Sequence, residues 1–167
     1  MTRLHLLRHA KSSWDEPGLA DRDRPLAPRG TQAARRMAEH LRTAGVRPDV
    51  VLCSPAVRAR QTLDLVLPAL AEPAVLVEDP LYAADADALL DRLRSLPDGT
   101  DAAMVIGHNP TLQDLALDLA SDGPDLDRLR EKLPTGALST LAFEGLWRDL
   151  GPGSAVLETL VAPRDLR

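Results

Sequence analysis

Short apolar runs alternate with helical segments along most of this chain. The runs are almost continuously apolar and cover residues 3–8, 49–53, 73–77 and 102–106. Such runs are typical of strands that are covered on both faces, as in a mostly parallel sheet. An apolar stripe with helical spacing follows each run, at 34–41, 59–70, 89–96 and 112–119. This alternation predicts a three-layer α/β/α fold around a mostly parallel central sheet.

Local signals mark where the elements begin and end. Gly45 is expected just after the end of the first helix, and Ser54 is expected to cap the second helix with Pro55 at its first position. Two late apolar segments predict further strands, at 137–143 and 155–161. Two segments rich in Asp, Pro, Gly and Arg predict loops, at 15–29 and 121–136.

The composition narrows the class of protein. A length of 167 residues favours one domain over residues 1–167. The net charge of −5 gives no reason to expect nucleic acid or an anionic membrane as a partner. Cys53 is the single cysteine, which excludes an internal disulfide and a cysteine zinc cluster. With no signal-peptide pattern and no apolar run of roughly 18 residues, a soluble cytoplasmic protein is expected.

Charged side chains follow three of the four predicted strands. Arg8 and His9 end the first, Arg58 lies just after the second, and His108 follows the fourth. Because ligands of open α/β sheets bind outside the carboxyl ends of the strands, these residues are expected to converge. Helix N-termini at the same edge add partial positive charge. The sequence therefore predicts an anion pocket, with phosphate as its occupant.

The four residue types suit phosphoryl transfer. Two arginines can hold phosphate oxygens with their planar, bidentate donors. A neutral histidine can attack phosphorus through one ring nitrogen while the other nitrogen donates to a backbone carbonyl. A second histidine, when protonated, adds positive charge to the same pocket.

Several spaced motifs carry a family resemblance. "RHA" at 8–10, "SPxxRAxQT" at 54–62 and "GHN" at 107–109 resemble the histidine phosphatase superfamily. The longer stretches are similar to the small SixA-type phosphohistidine phosphatases, and they are "LLRHAKSSW", "DRPLAPRG", "GHNPTLQDLA", "LPTGAL" and "PRDL". The resemblance spans nearly the whole chain and implies a phosphoglycerate mutase-like fold.

The resemblance also implies roles for individual residues. His9 matches the nucleophile that becomes phosphorylated, and His108 matches the second histidine of the site. Arg8 and Arg58 match the phosphate-binding arginines, although Arg60 competes with Arg58 by sequence alone. Weaker phosphate contacts are expected from Ser12 and Asn109. No metal and no cofactor are expected, and the substrate would be a phosphorylated protein or a small phosphorylated molecule.

The sequence departs from the superfamily pattern at informative places. Ala10 replaces the glycine of the general Arg-His-Gly motif, and Asp15 stands where mutase-like relatives often have Asn. Lys11 and Asp15 are therefore candidates for choosing the substrate. No carboxylic acid can be matched to the proton donor for the leaving group, and the unassigned candidates are Glu78, Asp79, Asp85, Asp87, Asp21 and Asp23. A site without a strong acid favours phosphohistidine or another labile phosphoryl compound.

Two other interpretations of the sequence stay open, and a third is weakened by residue spacing. A non-catalytic module that binds a phosphorylated ligand could use the same residues, and so could a phosphomutase or phosphotransferase. Cysteine-dependent phosphatases use Cys-x5-Arg, but four residues separate Cys53 from Arg58 and six separate it from Arg60. A buried strand cysteine is the better interpretation of Cys53. The oligomeric state is not determined by the sequence.

Overall fold

One mixed sheet organises residues 1–166, which are the residues described by this computed structural model. Its strands are β1 Thr2–Arg8, β2 Val50–Cys53, β3 Ala74–Val77, β4 Ala102–Gly107, β5 Ala120–Asp122, β6 Leu138–Phe143 and β7 Ala155–Val161. The α-helices are α1 Pro28–Thr43, α2 Val57–Val66, α3 Ala86–Arg94, α4 Thr111–Leu119 and α5 Leu126–Glu131. The strand order across the sheet is β3-β2-β4-β1-β6-β7-β5.

The strand directions confirm the mostly parallel sheet. β1 lies parallel to β4, which lies parallel to β2, and β2 lies parallel to β3. β6 pairs antiparallel with both β1 and β7, and β5 pairs parallel with β7. Arg8 lies opposite Gly107, and Cys53 lies opposite Ile106. The carboxyl ends of β1, β2 and β4 therefore meet at one edge of the sheet.

Helices cover both faces of the sheet, as the alternating pattern predicts. On one face, Met37 and Leu41 of α1 and Leu63 of α2 pack in a cluster with Leu7 and Met104. On the other face, α3, α4 and α5 pack over a second cluster that contains Leu4, Leu6 and Val105. Because large aliphatic side chains fill both clusters, burying them supplies the main driving force for this three-layer arrangement.

The structure corrects several local predictions. β3 is an edge strand, and its side chains are exposed rather than covered on both faces. α1 begins at Pro28, inside the predicted loop 15–29, because proline suits the first helical position. The predicted loop 121–136 contains α5, whose Leu129 is fully buried, and most of the short strand β5. Gly45 has φ +69° and follows α1 as predicted.

The expected start of the second helix is wrong. α2 begins at Val57 with Ala56 as its N-cap, so Ser54 and Pro55 precede the helix. The Ser54 hydroxyl accepts a hydrogen bond from the Ala56 backbone N–H at 3.2 Å and contacts His108, which explains why it does not cap the helix. Within residues 1–166, no helix is long and apolar enough to cross a membrane.

Candidate active site

The three strand ends surround one open cavity of about 560 Å³. Arg8 and His9 reach it from the end of β1, Arg58 from the first turn of α2, and His108 from the end of β4. Tyr82 lies in a short 3-10 turn and forms a further part of the wall. The structure therefore brings together the four residues that the sequence singled out. Arg60 is exposed and lies outside this wall, so Arg58 is the arginine that α2 contributes to the cavity.

The tautomer of His9 is set by its own backbone neighbour. Nδ1 donates a hydrogen bond to the carbonyl oxygen of Ala10 at 2.7 Å, which leaves the lone pair on Nε2. Arg58 Nε donates to this Nε2 at 3.3 Å. The pKa of His9 falls to about 3, chiefly because burial disfavours the imidazolium, and the nearby positive groups add to this. The ring is therefore neutral at physiological pH, and its unprotonated Nε2 faces Arg58.

His108 lies beside His9 and is held by Ser54. The two imidazole centroids are 5.2 Å apart, and His108 Nε2 is hydrogen-bonded to the Ser54 hydroxyl at 2.7 Å. The Tyr82 ring contacts His108 edge to face at 5.6 Å. The pKa of His108 is lowered to about 4, mainly by burial and then by Arg58. The ring is therefore neutral near pH 7, and it does not carry the positive charge that a protonated second histidine would add to the pocket.

Only some of the hydrogen-bond donors of the Arg8 guanidinium have partners in the protein. Nη1 donates to the carbonyl oxygen of Leu133 at 2.9 Å, whereas the buried Nε has no hydrogen-bond partner among residues 1–166. Burial lowers the pKa of Arg8, but an arginine stays charged throughout the working range. A half-buried cation with an unused donor is a favourable place for an anion.

The Arg58 guanidinium is hydrogen-bonded to Asp21, which lies in a nearby short turn. Its Nη2 donates to Oδ2 of Asp21 at 2.9 Å, and its Nη1 donates to the Asp21 carbonyl oxygen at 2.7 Å. The Tyr82 hydroxyl donates to the same Oδ2 at 2.6 Å. The Tyr82 hydrogen bond and then those from Arg58 and Arg24 hold the pKa of Asp21 well below its usual range. A carboxylate thus lies against the arginine that the sequence predicts for phosphate.

The buried Thr62 connects α2 to the segment that follows β1. The Thr62 hydroxyl donates to the Arg58 carbonyl oxygen at 2.8 Å and accepts from the Ala10 backbone N–H at 3.0 Å. Since Thr62 and Ala10 are almost completely buried, these bonds fix the end of β1 relative to α2. This explains the threonine of the "SPxxRAxQT" motif, for which sequence analysis gave no role.

Ser12 and Asn109, the weaker phosphate contacts, line the cavity but bond to protein groups. The Ser12 hydroxyl accepts from Arg24, whose guanidinium also stacks on the exposed Trp14 ring at 3.2 Å from its centroid. The Asn109 amide donates to Gln113 and to the Leu133 carbonyl oxygen. Their contact with phosphate therefore stays a prediction.

Comparisons with known proteins agree with this geometry. The sequence model of the histidine phosphatase superfamily (branch 1) matches residues 4–81. An uncharacterized protein of Mycobacterium tuberculosis is 40% identical over 162 residues, which cover 95% of this chain and 100% of that protein. The chain belongs to the histidine phosphatase superfamily.

Solved SixA proteins have the same fold over their full length. The SixA protein of Nakamurella multipartitia is 29% identical with a TM-score of 0.83, and the match covers 97% of this chain and 96% of that one. A protein histidine phosphatase SixA complexed with tungstate is 25% identical with a TM-score of 0.79, covering 99% of this chain and 100% of that one. The predicted phosphoglycerate mutase-like fold and the SixA resemblance are confirmed.

Five of the six carboxylates that the sequence left open as proton donors lie outside the cavity. Glu78 is paired with Arg92, and Asp79 is paired with Arg22. Asp85 caps α3 through the Ala88 backbone N–H. None of these lines the cavity, and neither do Asp87 and Asp23. Asp21 is the remaining candidate, but its low pKa makes it an anion rather than a proton donor in this histidine phosphatase.

Cys53, the residue behind the alternative phosphatase class, is unsuited to nucleophilic chemistry. It is fully buried in β2, and burial raises the pKa of its thiol to about 12. Because the thiolate is the nucleophilic form, a thiol with this pKa is inert at neutral pH. The interpretation of Cys53 as a buried strand residue is confirmed.

Proposed function

We propose that this histidine phosphatase is metal-independent and hydrolyses protein phosphohistidine through a phosphorylated His9. The observation that carries the proposal is the His9 tautomer, because the bond from Nδ1 to the Ala10 carbonyl leaves the Nε2 lone pair beside Arg58. A buried, neutral imidazole needs no general base before it attacks phosphorus.

The reaction would proceed in two steps. His9 Nε2 attacks phosphorus as the bond from phosphorus to the substrate's imidazole nitrogen breaks, and that nitrogen takes a proton. Water then attacks the phosphoryl group, the His9 N–P bond breaks, and inorganic phosphate leaves. Arg8, Arg58 and His108 would surround the three peripheral oxygens, where positive charge and donors stabilise the transition state. The unused Arg8 Nε supports this role.

The leaving group decides between substrate classes. The alkoxide of a serine or sugar phosphate is a poor leaving group that benefits strongly from a general acid. Asp21 is held as an anion by Tyr82, Arg58 and Arg24, so it is a weak proton donor in this state. The imidazole of phosphohistidine is protonated by water near neutral pH and leaves readily. The site therefore favours a labile P–N bond over an alkyl phosphate.

The comparisons support an oxyanion in this cavity. A SixA protein with this fold was solved with tungstate, a tetrahedral oxyanion, and it is described as a protein histidine phosphatase. The cavity here is open rather than closed by a cap, which suits a side chain presented on a protein surface. A small phosphorylated molecule is the competing substrate class, and the test below includes it.

The test compares substrates and variants in one assay. Wild type, His9→Asn and the control His40→Asn are incubated with a phosphohistidine peptide, a phosphoserine peptide and p-nitrophenyl phosphate, and released phosphate is measured. His40 lies on α1 outside the cavity. We expect the phosphohistidine peptide to be hydrolysed fastest, and we expect His9→Asn to lose at least about a thousandfold in rate. Phosphate on the trapped enzyme should be labile in acid and stable in alkali.

Three results would overturn the proposal. Undiminished turnover by His9→Asn would exclude the nucleophile. A strong preference for phosphoserine would exclude the substrate class. Stoichiometric binding of the phosphohistidine peptide without phosphate release would instead indicate the non-catalytic binding module.

A further inference from the structure

A second groove of about 550 Å³ opens beside the candidate active site. We call it the basic groove, and its charged lining consists of Lys11, Arg29, Arg36, Arg128, Lys132, Arg164 and Glu131. Arg29 and Arg36 lie on α1, while Arg128 lies on α5 and Lys132 directly follows that helix. The groove thus has two cationic walls built by elements that are distant in sequence.

Most of this positive charge is not neutralised by the protein. Within residues 1–166, no carboxylate lies within ion-pair distance of Lys11, Arg29, Arg36, Lys132 or Arg164. Only Arg128 is paired, with Asp165 at 2.8 Å and Asp125 at 3.6 Å. The chain as a whole carries a net charge of −5. A concentrated field of unpaired cations on an acidic protein attracts anionic ligands to this face specifically.

The dimensions of the groove favour an extended ligand. Arg29 and Arg36 are seven residues apart on one face of α1, which places their backbones about 10 Å apart along the helix axis. Cations spread over this length and over two walls can contact an extended anionic ligand at several points. Pro163 also lines the groove and is half-buried, whereas Leu160 and Ala162 behind it are almost completely buried.

The basic groove adjoins the active-site cavity. Lys11 and Thr135 line both. Lys11 follows His9 by two residues, so a chain lying in the groove can place a neighbouring residue at His9. Lys11, whose role the sequence left open, thereby stands at the junction between the two sites.

We propose that the basic groove binds an acidic segment of the substrate protein that lies next to its phosphorylated histidine. This inference rests on the proposed function. Carboxylates spaced along a peptide match cations spread over two walls. Nucleic acid fits less well, because its continuous charge would meet the acidic remainder of the protein.

The experiment uses two phosphohistidine peptides that differ only in their flanks. One carries three Glu residues on each side of the histidine, and the other carries Ser at those positions. The variants are Arg29→Gln/Arg36→Gln and the control Arg35→Gln, which removes an exposed α1 arginine outside the groove. The readout is the ratio of kcat/KM for the acidic peptide to that for the neutral peptide. A general loss of activity cancels in this ratio.

We expect wild type to favour the acidic peptide about tenfold and the double variant to lose most of that preference, while Arg35→Gln keeps it. The preference should shrink as salt is raised from 0.05 to 0.5 M, since the groove is open to solvent. Equal rates on both peptides in wild type would overturn the inference. An equal loss in Arg35→Gln would also overturn it, because the effect would then come from overall charge.

A binding measurement separates this inference from the proposed function. The unphosphorylated acidic peptide, labelled with fluorescein, is titrated with each protein. If neither phosphohistidine peptide is hydrolysed, the proposed function fails, but weaker binding by the double variant than by Arg35→Gln still supports the groove. Absence of binding to wild type overturns the groove. Displacement of the peptide by a lower concentration of single-stranded oligonucleotide than of free acidic peptide would assign the groove to nucleic acid instead.

Discussion

The carboxylate of Asp21 accepts a hydrogen bond from Arg58 Nη2 at 2.9 Å. An aspartate is therefore bound to the guanidinium that we expect to bind phosphate. The Tyr82 hydroxyl and Arg24 also donate to this carboxylate. An incoming phosphoryl group must displace Asp21 or share Arg58 with a second negative charge. Asp21 is therefore expected to have two opposing effects, since its charge repels an entering anion while its contacts hold Arg58 in place.

Asp21→Asn tests which of these effects dominates. The amide keeps the shape of the side chain but removes its charge, and the repulsion of an entering oxyanion is lost. We expect inorganic phosphate and tungstate to bind about threefold to tenfold more tightly, with the factor limited by solvent because the Asp21 side chain is half exposed. Isothermal titration calorimetry measures this directly.

A matched variant and an opposite outcome make this test decisive. Asp23→Asn removes a charge from the same short turn but outside the cavity, and it should leave the affinity unchanged. Weaker oxyanion binding by Asp21→Asn would mean that Asp21 chiefly positions Arg58.

The buried histidines predict an unusual titration. Burial disfavours the imidazolium, which lowers the pKa of His9 to about 3 and that of His108 to about 4. Both rings should therefore stay neutral between pH 8 and pH 5 in the free protein. Bound tungstate adds negative charge beside them, favours the imidazolium and raises both pKa values. Carbon–proton correlation NMR of the ring Cε1–Hε1 groups measures these shifts.

Assignments for that spectrum come from His9→Asn and His108→Asn. A ring that titrates near pH 6.5 without ligand would contradict the burial argument. A ring whose titration is unmoved by tungstate would contradict the placement of the oxyanion in the cavity beside that histidine.

The convergence of Arg8, His9, Arg58 and His108 could be predicted because it follows from strand order. Each residue lies at or just after the carboxyl end of a strand, and apolar runs reveal such ends without any knowledge of tertiary contacts. The motif spacing favoured Arg58 over Arg60, two residues apart on α2, and the structure places only Arg58 in the cavity wall. Their catalytic roles stay predictions until the variants are measured.

The contacts of Asp21 and Tyr82 could not be predicted from the sequence. Both residues lie in short 3-10 turns, where no periodicity fixes the path of the chain. The exposure of β3 was missed for a related reason, since an apolar run does not reveal whether a strand lies at the edge of a sheet. Ser54 follows a helix-start pattern, but its hydroxyl is bonded to His108 and the helix begins later.

His5 predicts a loss of stability in mild acid. Its ring is buried in β1 and bonded to the Thr140 hydroxyl at 2.9 Å, and its pKa is lowered to about 4, mainly by burial. In the unfolded chain His5 binds a proton near pH 6.5, whereas in the folded chain it does so only near pH 4. The free energy of unfolding therefore decreases as the pH drops from 7 towards 4. The contribution of His5 between pH 7 and pH 4.5 is about 2 kcal/mol.

Urea unfolding of wild type and His5→Gln at both pH values isolates this contribution. Glutamine does not titrate, so the variant should lose about 2 kcal/mol less than wild type over this interval, whatever its stability at pH 7. Equal losses in the two proteins would show that His5 is protonated in the folded state.

Gly30 explains the glycine that ends the "DRPLAPRG" stretch. It lies in the first turn of α1, and a β-carbon there would overlap the backbone carbonyl oxygen of Lys11. That carbonyl accepts a hydrogen bond from the Ala27 backbone N–H at 2.9 Å, so the segment after His9 packs directly on the start of α1. The absence of a side chain at Gly30 thus lets the start of α1 contact the backbone of Lys11, two residues after His9.

Gly30→Ala should therefore destabilise the protein, against the usual preference of helices for alanine over glycine by about 1 kcal/mol. We expect a loss of about 1–3 kcal/mol in the free energy of unfolding, because backbone must move to relieve the overlap. The displaced Lys11 segment should also lower the rate of phosphate release. Gly99→Ala is the control, since a β-carbon there meets no atom within 4 Å. Urea unfolding that finds Gly30→Ala as stable as wild type would show that α1 does not hold this segment in place.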